Sequence, residues 1–169
     1  FGSNASGKTT VLRSVVSVLG FVVASFSLKP NEEIPYLESF ASDQTEHTTT
    51  NVTIEFDGYL PSDEKEYLFQ YQLSVSRPST EKFGAAHIVE SEKLSYKPLN
   101  KWRALFERKG QSFRFGKEFG ISDSDQRTQF IRENASVLSA LAQFNHKESQ
   151  SFLEFVKATE TNFSGYKIH

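Results

Sequence analysis

The sequence contains no cysteine and no methionine, and only one tryptophan and five prolines among 169 residues. Without cysteine the chain has neither disulfides nor thiolate metal ligands, which fits a reducing cytoplasm. The absence of methionine leads us to expect a fragment of a longer protein. No apolar run approaches the ~20 residues that a membrane-spanning helix needs, so we expect no membrane insertion.

A large net charge is also absent. The chain carries 19 Lys and Arg against 21 Asp and Glu, which leaves a net charge of −2 and excludes an overall basic, nucleic-acid-binding composition. Residues 31–66 are locally acidic, with ten carboxylates and a single lysine. We interpret this stretch as a solvated face, and a docking surface for a basic partner is the alternative.

The first ten residues contain the most specific motif of the chain. Gly2 to Thr9 read G-x-x-x-x-G-K-T, the phosphate-binding P-loop or Walker A pattern. Its glycines permit the close backbone approach that a cradle of N–H groups around phosphates needs. The pattern predicts that Lys8 contacts the β- and γ-phosphates, as the catalytic residue, and that Thr9 ligates Mg²⁺. The predicted nucleotide-binding residues are Gly2, Ser3, Asn4, Ala5, Ser6, Gly7, Lys8, Thr9 and Thr10.

A helix should follow the motif, because a helix N-terminus adds unpaired N–H donors and a positive dipole end beside the phosphates. From Thr9 to Leu19 there is no glycine or proline, and most positions are apolar, as in a helix buried against a sheet. We predict that this helix extends to about Leu28. A P-loop follows a buried strand, so we expect that strand to lie upstream of Phe1.

The middle of the chain alternates apolar and polar residues with period two. The predicted strands are Asn51–Tyr59, Tyr67–Ser76, His87–Tyr96 and a hairpin of Ala104–Arg108 with Ser112–Phe115. Short connections without intervening helices imply an antiparallel meander. The last third is predicted to form a helix at about Gln126 to Phe144 and a second helix after Asn145, whose buried stripe is Phe152, Phe155 and Val156.

Two nucleotide-binding classes do not match this pattern. A GTPase would read guanine with Asn-Lys-x-Asp, whereas the only Asn-Lys here continues as Asn100-Lys101-Trp102-Arg103. A small-molecule kinase would alternate strands and helices directly after the P-loop, where this chain has the meander. GTP is therefore disfavoured as the nucleotide, and the Thr9 hydroxyl of the motif predicts Mg²⁺ as the metal ion. The identity of the nucleotide as ATP follows only from the family resemblance given next.

Six stretches together carry a resemblance to a known family: Gly2–Thr9, Ile34–Tyr36, Val52–Phe56, Leu105–Arg108, Arg132–Ala135 and Leu138–Asn145. The order of P-loop helix, antiparallel strands and helices resembles the N-terminal lobe of ABC-type head ATPases, including relatives of the structural-maintenance-of-chromosomes proteins. The chain is more closely similar to the AAA-like, ABC-type ATPases of bacterial antiphage and abortive-infection systems. These include the Septu and retron-associated ATPases and the ATPase half of the overcoming-lysogenization-defect nucleases.

The resemblance implies an α/β P-loop NTPase fold in which residues 1–169 form the N-terminal lobe of an ATPase head. It also implies heads that associate around ATP as a homodimer or higher oligomer, beside a nuclease or other effector, in the cytoplasm. Hydrolysis requires an acidic Walker B strand, for which this chain has no candidate, so we expect the 169 residues alone to be inactive. Two alternatives stay open: a nucleotide-gated dimerisation or scaffold module with negligible turnover, and a DNA-repair or chromosome-organising head.

Residues 101–117 hold six basic residues and one acid, interleaved with aromatic residues. We interpret them as a hairpin with its aromatic side chains inward and its charges outward. The alternative is contact with nucleic-acid phosphates. The candidate residues for it are Arg103, Arg108, Lys109, Arg114 and Lys117.

The remaining polar candidates carry weaker signals. We interpret Gln143 as a packing residue, because it lies in an apolar stretch predicted to be helical. The alternative is that Gln143 senses Mg²⁺. The four histidines, His47, His87, His146 and His169, show no metal-ligand spacing.

Overall fold

The computed structural model describes residues 5–30, 32, 34, 48–63, 65–77 and 87–164. In these ranges the chain is an α/β structure, with a five-stranded antiparallel sheet and three α-helices. The helices are α1 (Ala5–Ala24), α2 (Val137–Gln143) and α3 (Lys147–Ser164), and short 3-10 turns occupy Ser25–Ser27, Lys117–Phe119 and Gln126–Phe130.

The sheet is a simple meander. Its strands are β1 (Thr48–Tyr59), β2 (Glu66–Arg77), β3 (Ile88–Lys97), β4 (Arg103–Lys109) and β5 (Ser112–Phe115), and they lie in the order of the sequence. Every neighbouring pair is antiparallel, which confirms the predicted meander and its hairpin. β1 and β2 pair without interruption over twelve residues, whereas the β2–β3 and β3–β4 pairs each contain one irregularity.

The inner face of the sheet forms the core together with the helices. Phe69, Tyr71, Leu73 and Val75 alternate along β2, as predicted, and none is more than 4% exposed. Their burial stabilises the fold by about 1.5–3 kcal/mol for each large side chain. The core is continuous from the β2 side chains to α3, because the Phe69 ring meets Phe152 edge-on at 5.3 Å between centroids.

α3 confirms the predicted second helix in the last third of the chain. Phe152 and Val156 are buried, as the periodicity predicts. Phe155 is 38% exposed, so the third predicted member of the stripe is only partly covered. Its ring stacks on Phe56 of β1 at 5.4 Å between centroids.

α1 ends at Ala24, earlier than the predicted Leu28, and a 3-10 turn of three residues follows. In this turn the N–H of Leu28 donates to the Ser25 carbonyl, and the Ser27 hydroxyl donates to the Ala24 carbonyl at 2.6 Å. These contacts tighten the last turn and use carbonyls that would otherwise continue the α-helix.

The predicted helix at Gln126–Phe144 is wrong over most of its length. Gln126–Phe130 is a 3-10 turn, residues 131–136 are not helical, and α2 is confined to Val137–Gln143. The reason is tertiary: the Glu133 carbonyl accepts from the N–H of Val89 in β3 at 2.8 Å. Ser136 then begins α2 as its N-cap, accepting from the N–H of Leu138.

Candidate nucleotide site and its support

Six of the nine predicted nucleotide-binding residues, Ala5 to Thr10, form the start of α1, and the other three lie within residues 1–4, outside the described residues. The prediction that the helix follows the motif is wrong at its start, because α1 begins at Ala5, inside the motif. The side chains of residues 5–14, including those of Lys8 and Thr9, also lie outside the described part of the chain. The first turn of α1 contains no acidic residue, so no carboxylate opposes an anion at this helix N-terminus.

The far end of α1 is fastened by hydrogen bonds to residues 132–139, which we call the 132–139 segment. The Ser136 N–H donates to the Ser25 hydroxyl at 2.8 Å, and the Phe26 N–H donates to the Ser139 hydroxyl at 3.0 Å. The Arg132 guanidinium donates to the Phe26 carbonyl and lies 5.1 Å from the centre of the Phe26 ring. These contacts hold the end of α1 opposite the P-loop motif.

Asn134 secures the chain that follows α1. Its side-chain amide is 3% exposed and donates to the carbonyls of Lys29 and Glu32, at 2.8 and 3.1 Å. Arg132, Asn134 and Ser136 therefore each hold part of the region after α1, which explains the alternation of polar residues in a segment that the sequence predicted to be helical.

Glu92 connects the 132–139 segment to the sheet. Its carboxylate is fully buried and accepts from the Tyr71 hydroxyl at 2.9 Å, the Ser136 hydroxyl at 2.7 Å and the Val137 N–H at 2.8 Å. Burial raises the pKa of Glu92, while the charge of Arg108 and these hydrogen bonds oppose the rise. The carboxylate is thus held by three donors from two layers of the fold.

Arg108 lies opposite Glu92 in the β3–β4 register and is also fully buried. Its guanidinium donates to the carbonyls of Gly110, Ala135 and Arg132, at 2.8, 2.6 and 3.1 Å. The prediction that Arg108 contacts nucleic-acid phosphates is therefore wrong, because its donors are used inside the protein. Burial lowers the pKa of Arg108, and the charge of Glu92 raises it.

Sequence reasoning overlooked the buried Glu92–Arg108 pair, although a signal was present. Glu92 shares the inward face of β3 with Leu94 and Tyr96, and Arg108 shares that of β4 with Phe106. Period-two alternation therefore places both charges inward, and two opposite charges at inward positions of neighbouring strands predict a pair. Buried charges are retained only when paired and hydrogen-bonded.

The other four predicted cations, Arg103, Lys109, Arg114 and Lys117, are exposed. Arg103 lies 3.9 Å from the carboxylate of Glu118, and Lys109 lies 3.6 Å from that of Glu107. Exposed pairs of this kind contribute at most about 1 kcal/mol to stability. The hairpin therefore presents cations to solvent, as predicted, with Arg108 as the exception.

Gln143 is exposed at the end of α2, so the favoured packing interpretation is wrong. α2 is buried on its other positions, but its last residue points out of the core.

His146 is buried, and His47 and His169 lie outside the described residues. The ring of His146 joins Phe119 to the start of α3: Nε2 lies 2.7 Å from the Phe119 carbonyl, and Nδ1 accepts from the Ser149 N–H at 3.3 Å. A neutral ring with its proton on Nε2 satisfies both contacts. Burial lowers the pKa of His146, which favours this neutral form.

Two cavities lie beside these elements. The apolar cavity, of about 500 Å³, lies between α1, β1 and α3, and its walls include Val15, Leu19, Ile54 and Phe155. The polar pocket, of about 310 Å³, lies at the 132–139 segment and is lined by His87, Gln111, Gln129 and Arg132, among others.

Among the described residues no three His, Asp or Glu side chains converge as a metal site, and no helix there is long and apolar enough to cross a membrane. No protein-family model matches the chain, and no curated protein or solved structure matches it significantly. The family resemblance therefore rests on the sequence stretches that carry it.

Proposed function

We propose that the chain binds Mg·ATP through Gly2 to Thr10. In this proposal the loop N–H groups hold the phosphates, Lys8 contacts the β- and γ-phosphates, and the Thr9 hydroxyl ligates Mg²⁺. The observation that carries the proposal is the G-x-x-x-x-G-K-T motif, whose residues Ala5 to Thr9 form the first turns of the twenty-residue helix α1. Free N–H donors and the positive end of the helix dipole favour an anion at this position.

The anchoring of α1 supports the same proposal. A phosphate site needs a rigid frame, since binding free energy is lost when the groups must be ordered on binding. The far end of α1 is joined by Ser25 and Phe26 to the 132–139 segment, and that segment is joined by Glu92 to the sheet. The helix that presents the P-loop is therefore not held by its apolar face alone.

The wider function that we propose follows the family resemblance. The chain would be the N-terminal lobe of an ABC-type P-loop ATPase head in the cytoplasm, acting as a homodimer or higher oligomer. Its ATP cycle would control an associated nuclease or effector in bacterial antiphage defence. The alternatives are a nucleotide-gated scaffold with negligible turnover and a DNA-repair or chromosome-organising head.

Mg·ATP binding and turnover, measured on the native protein that contains this chain, test the proposal. Lys8→Ala should weaken ATP binding or turnover by ~2 kcal/mol or more, because it removes a charge-assisted contact to the phosphates. Lys29→Ala is the matched control, since Lys29 is an exposed lysine just beyond α1 and should change neither quantity.

Three outcomes distinguish an ATPase, a gated scaffold and the absence of a nucleotide site. Turnover that collapses in Lys8→Ala supports the ATPase. Binding without turnover in the wild type supports the gated scaffold. ATP affinity and turnover that are both the same in the wild type and in Lys8→Ala contradict the nucleotide site itself.

A second candidate function is nucleic-acid contact, and the distribution of charge favours it. Residues 93–118 hold seven cationic side chains besides the buried Arg108, against two carboxylates, in a chain with a net charge of −2. Lys97 lies 5.6 Å from the centre of the Trp102 ring, which is 38% exposed and available for stacking. Affinity for single-stranded DNA that falls with salt, and falls further in Arg103→Ser/Arg114→Ser, would support this function. Salt-independent or unchanged binding would contradict it.

A further inference from the structure

β1 forms one edge of the described sheet, and its own sequence carries none of the usual marks of a protected edge strand. It is twelve residues long, pairs with β2 in unbroken register, and contains no proline, lysine or arginine. Natural edge strands are commonly shortened, bulged, or marked with lysine or proline, because their unpaired N–H and C=O groups recruit other strands. A long, regular and unprotected edge is a template for pairing.

The inward side chains of β1 are also less completely buried than those of β2. Val52, Ile54 and Phe56 point inward but remain half-exposed, whereas their β2 partners Leu73, Tyr71 and Phe69 are at most 4% exposed. The difference arises because the apolar cavity of about 500 Å³ lies under β1. An apolar cavity of about 150 Å³ accepts a benzene molecule, so this one has room for several side chains.

The outer face of β1 is acidic next to the cavity. Glu55 and Asp57 are exposed there, and Glu55 accepts a hydrogen bond from the Gln70 amide at 2.8 Å. Opposite charges on adjacent strands stabilise a sheet and like charges destabilise it. A neighbour with basic residues on its outer face therefore fits this edge. A second copy of β1 would bring another Glu55 and Asp57 onto the same face.

We propose that β1 is a docking edge for an extended segment of another polypeptide. The segment adds to the sheet as a further strand, using the free backbone groups of β1. Its alternate apolar side chains enter the apolar cavity against Ile54 and Leu19, and its outward side chains are lysine or arginine facing Glu55 and Asp57. Backbone pairing supplies affinity, and the cavity and the acidic pair supply selectivity. The inference does not depend on the nucleotide site.

A strand fits the observations better than a small apolar molecule. A small molecule fills a cavity but leaves the backbone groups of β1 unpaired, while a strand satisfies the cavity and the edge together. Nine residues span roughly 30 Å at 3.3 Å per residue, which is most of the length of β1.

The test uses three labelled peptides of about nine residues, a common strand length. In the first, valine or isoleucine alternates with lysine. The second has glutamate in place of lysine, and the third has the composition of the first with its lysines grouped at one end. Fluorescence anisotropy gives the affinities, and hydrogen–deuterium exchange shows which backbone amides become protected.

We expect the alternating lysine peptide to bind at least about tenfold more tightly than either control, because only it matches both faces of β1. It should protect amides within residues 48–59. Equal binding of the grouped-lysine peptide, or protection confined to other residues, would overturn the proposal. So would a dimer whose β1 amides are protected without peptide, since the edge would then belong to a second copy.

Four variants sharpen the result. Leu19→Phe fills the apolar cavity from α1 and should raise the melting temperature while weakening peptide binding at least about tenfold. This pair of opposite changes separates lost docking from lost folding. Ile54→Lys should abolish binding, with Ile54→Val as the conservative control. Arg114→Ser, at the other edge of the sheet, should leave the peptide affinity unchanged. If Leu19→Phe binds the peptide as tightly as the wild type, the proposed path of the segment through the apolar cavity is contradicted.

Discussion

The two edges of the sheet are built in opposite ways. β5 has four residues, and the chain after it folds back so that the Gly116 N–H donates to the Leu105 carbonyl at 2.8 Å and Phe119 stacks on Phe115. β1 has twelve residues, and the apolar cavity lies beneath it. The comparison teaches that period-two alternation identifies which side chains of a strand point inward. It does not show whether other side chains fill the space against that inward face. We call the β5 side of the sheet the completed edge and the β1 side the open edge.

The largest expected effect lies toward the completed edge, at the buried Glu92–Arg108 pair. Arg108→Met removes three hydrogen bonds to carbonyls and leaves the Glu92 carboxylate without its buried counter-charge, which should cost about 3–5 kcal/mol of unfolding free energy. Ile54→Val, at the open edge, should cost at most about 1.5 kcal/mol. Urea denaturation measures both.

A double variant tests whether the two charges act together. Glu92→Leu/Arg108→Met should cost clearly less than the sum of the two single substitutions, since the double variant leaves no uncompensated charge. Strict additivity, or a cost for Arg108→Met below that of Ile54→Val, would contradict the ranking of the two edges.

A matched pair of glycine substitutions gives a smaller contrast. A Cβ at Gly116, beside β5, would lie 2.3 Å from the Ala104 carbonyl oxygen, so Gly116→Ala must displace backbone and should cost about 1–3 kcal/mol. A Cβ at Gly58, in β1, would meet the Phe69 ring at 3.4 Å and the Phe56 ring at 3.9 Å, both ordinary contacts with side chains. Gly58→Ala should therefore be close to neutral. Equal melting temperatures for the two variants would show that the edges are packed alike.

The smallest expected effect is a pH dependence confined to the completed edge. Burial holds the pKa of His146 below its ordinary value of 6.5, with Glu148 and Asp125 opposing and Arg127 reinforcing the shift. The unfolded chain then binds more protons than the folded one, so the stability contributed by neutral His146 is lost as the pH falls below about 6.5. Glu92 acts in the opposite direction at lower pH, because its pKa is raised by burial.

Hydrogen exchange at pH 7.5 and at pH 5.5 checks this expectation. Opening of the 3-10 turn Lys117–Phe119, whose Phe119 carbonyl lies 2.7 Å from His146 Nε2, should increase at the lower pH, while β1 should be little changed. His146→Gln should flatten the difference, because a neutral amide can still donate to the Phe119 carbonyl. An identical pH dependence in the variant would assign the effect to other groups.

Much of the architecture could be predicted from local pattern. Alternation along β2 identified Phe69, Tyr71, Leu73 and Val75 as inward, and short connections without helices implied the meander. These predictions succeeded because adjacent antiparallel strands need only local information. The P-loop prediction rests on the same kind of evidence, a spacing of glycines and a lysine before an apolar helix.

The failures lie where distant segments compete for one backbone. Apolar spacing predicted a helix through Gln126–Phe144, but β3 and the region after α1 recruit residues 132–136 out of helical geometry. Arg108 looked like a surface cation among other cations, yet its strand position turns it inward to three carbonyls. Gln143 was expected to pack, but it is the last residue of α2 and its side chain is exposed.

The sequence by itself determined the order of the strands, the inward faces of β1 and β2 and the motif at the start of α1, because each depends on neighbours within a few residues. Only the tertiary structure decided which polar groups are buried and which edge of the sheet is completed. Those outcomes depend on contacts between residues far apart in the chain, such as Glu92 with Ser136 and Phe26 with Ser139. The spacing of apolar residues within one segment does not indicate which residue more than forty positions away will form a hydrogen bond with it.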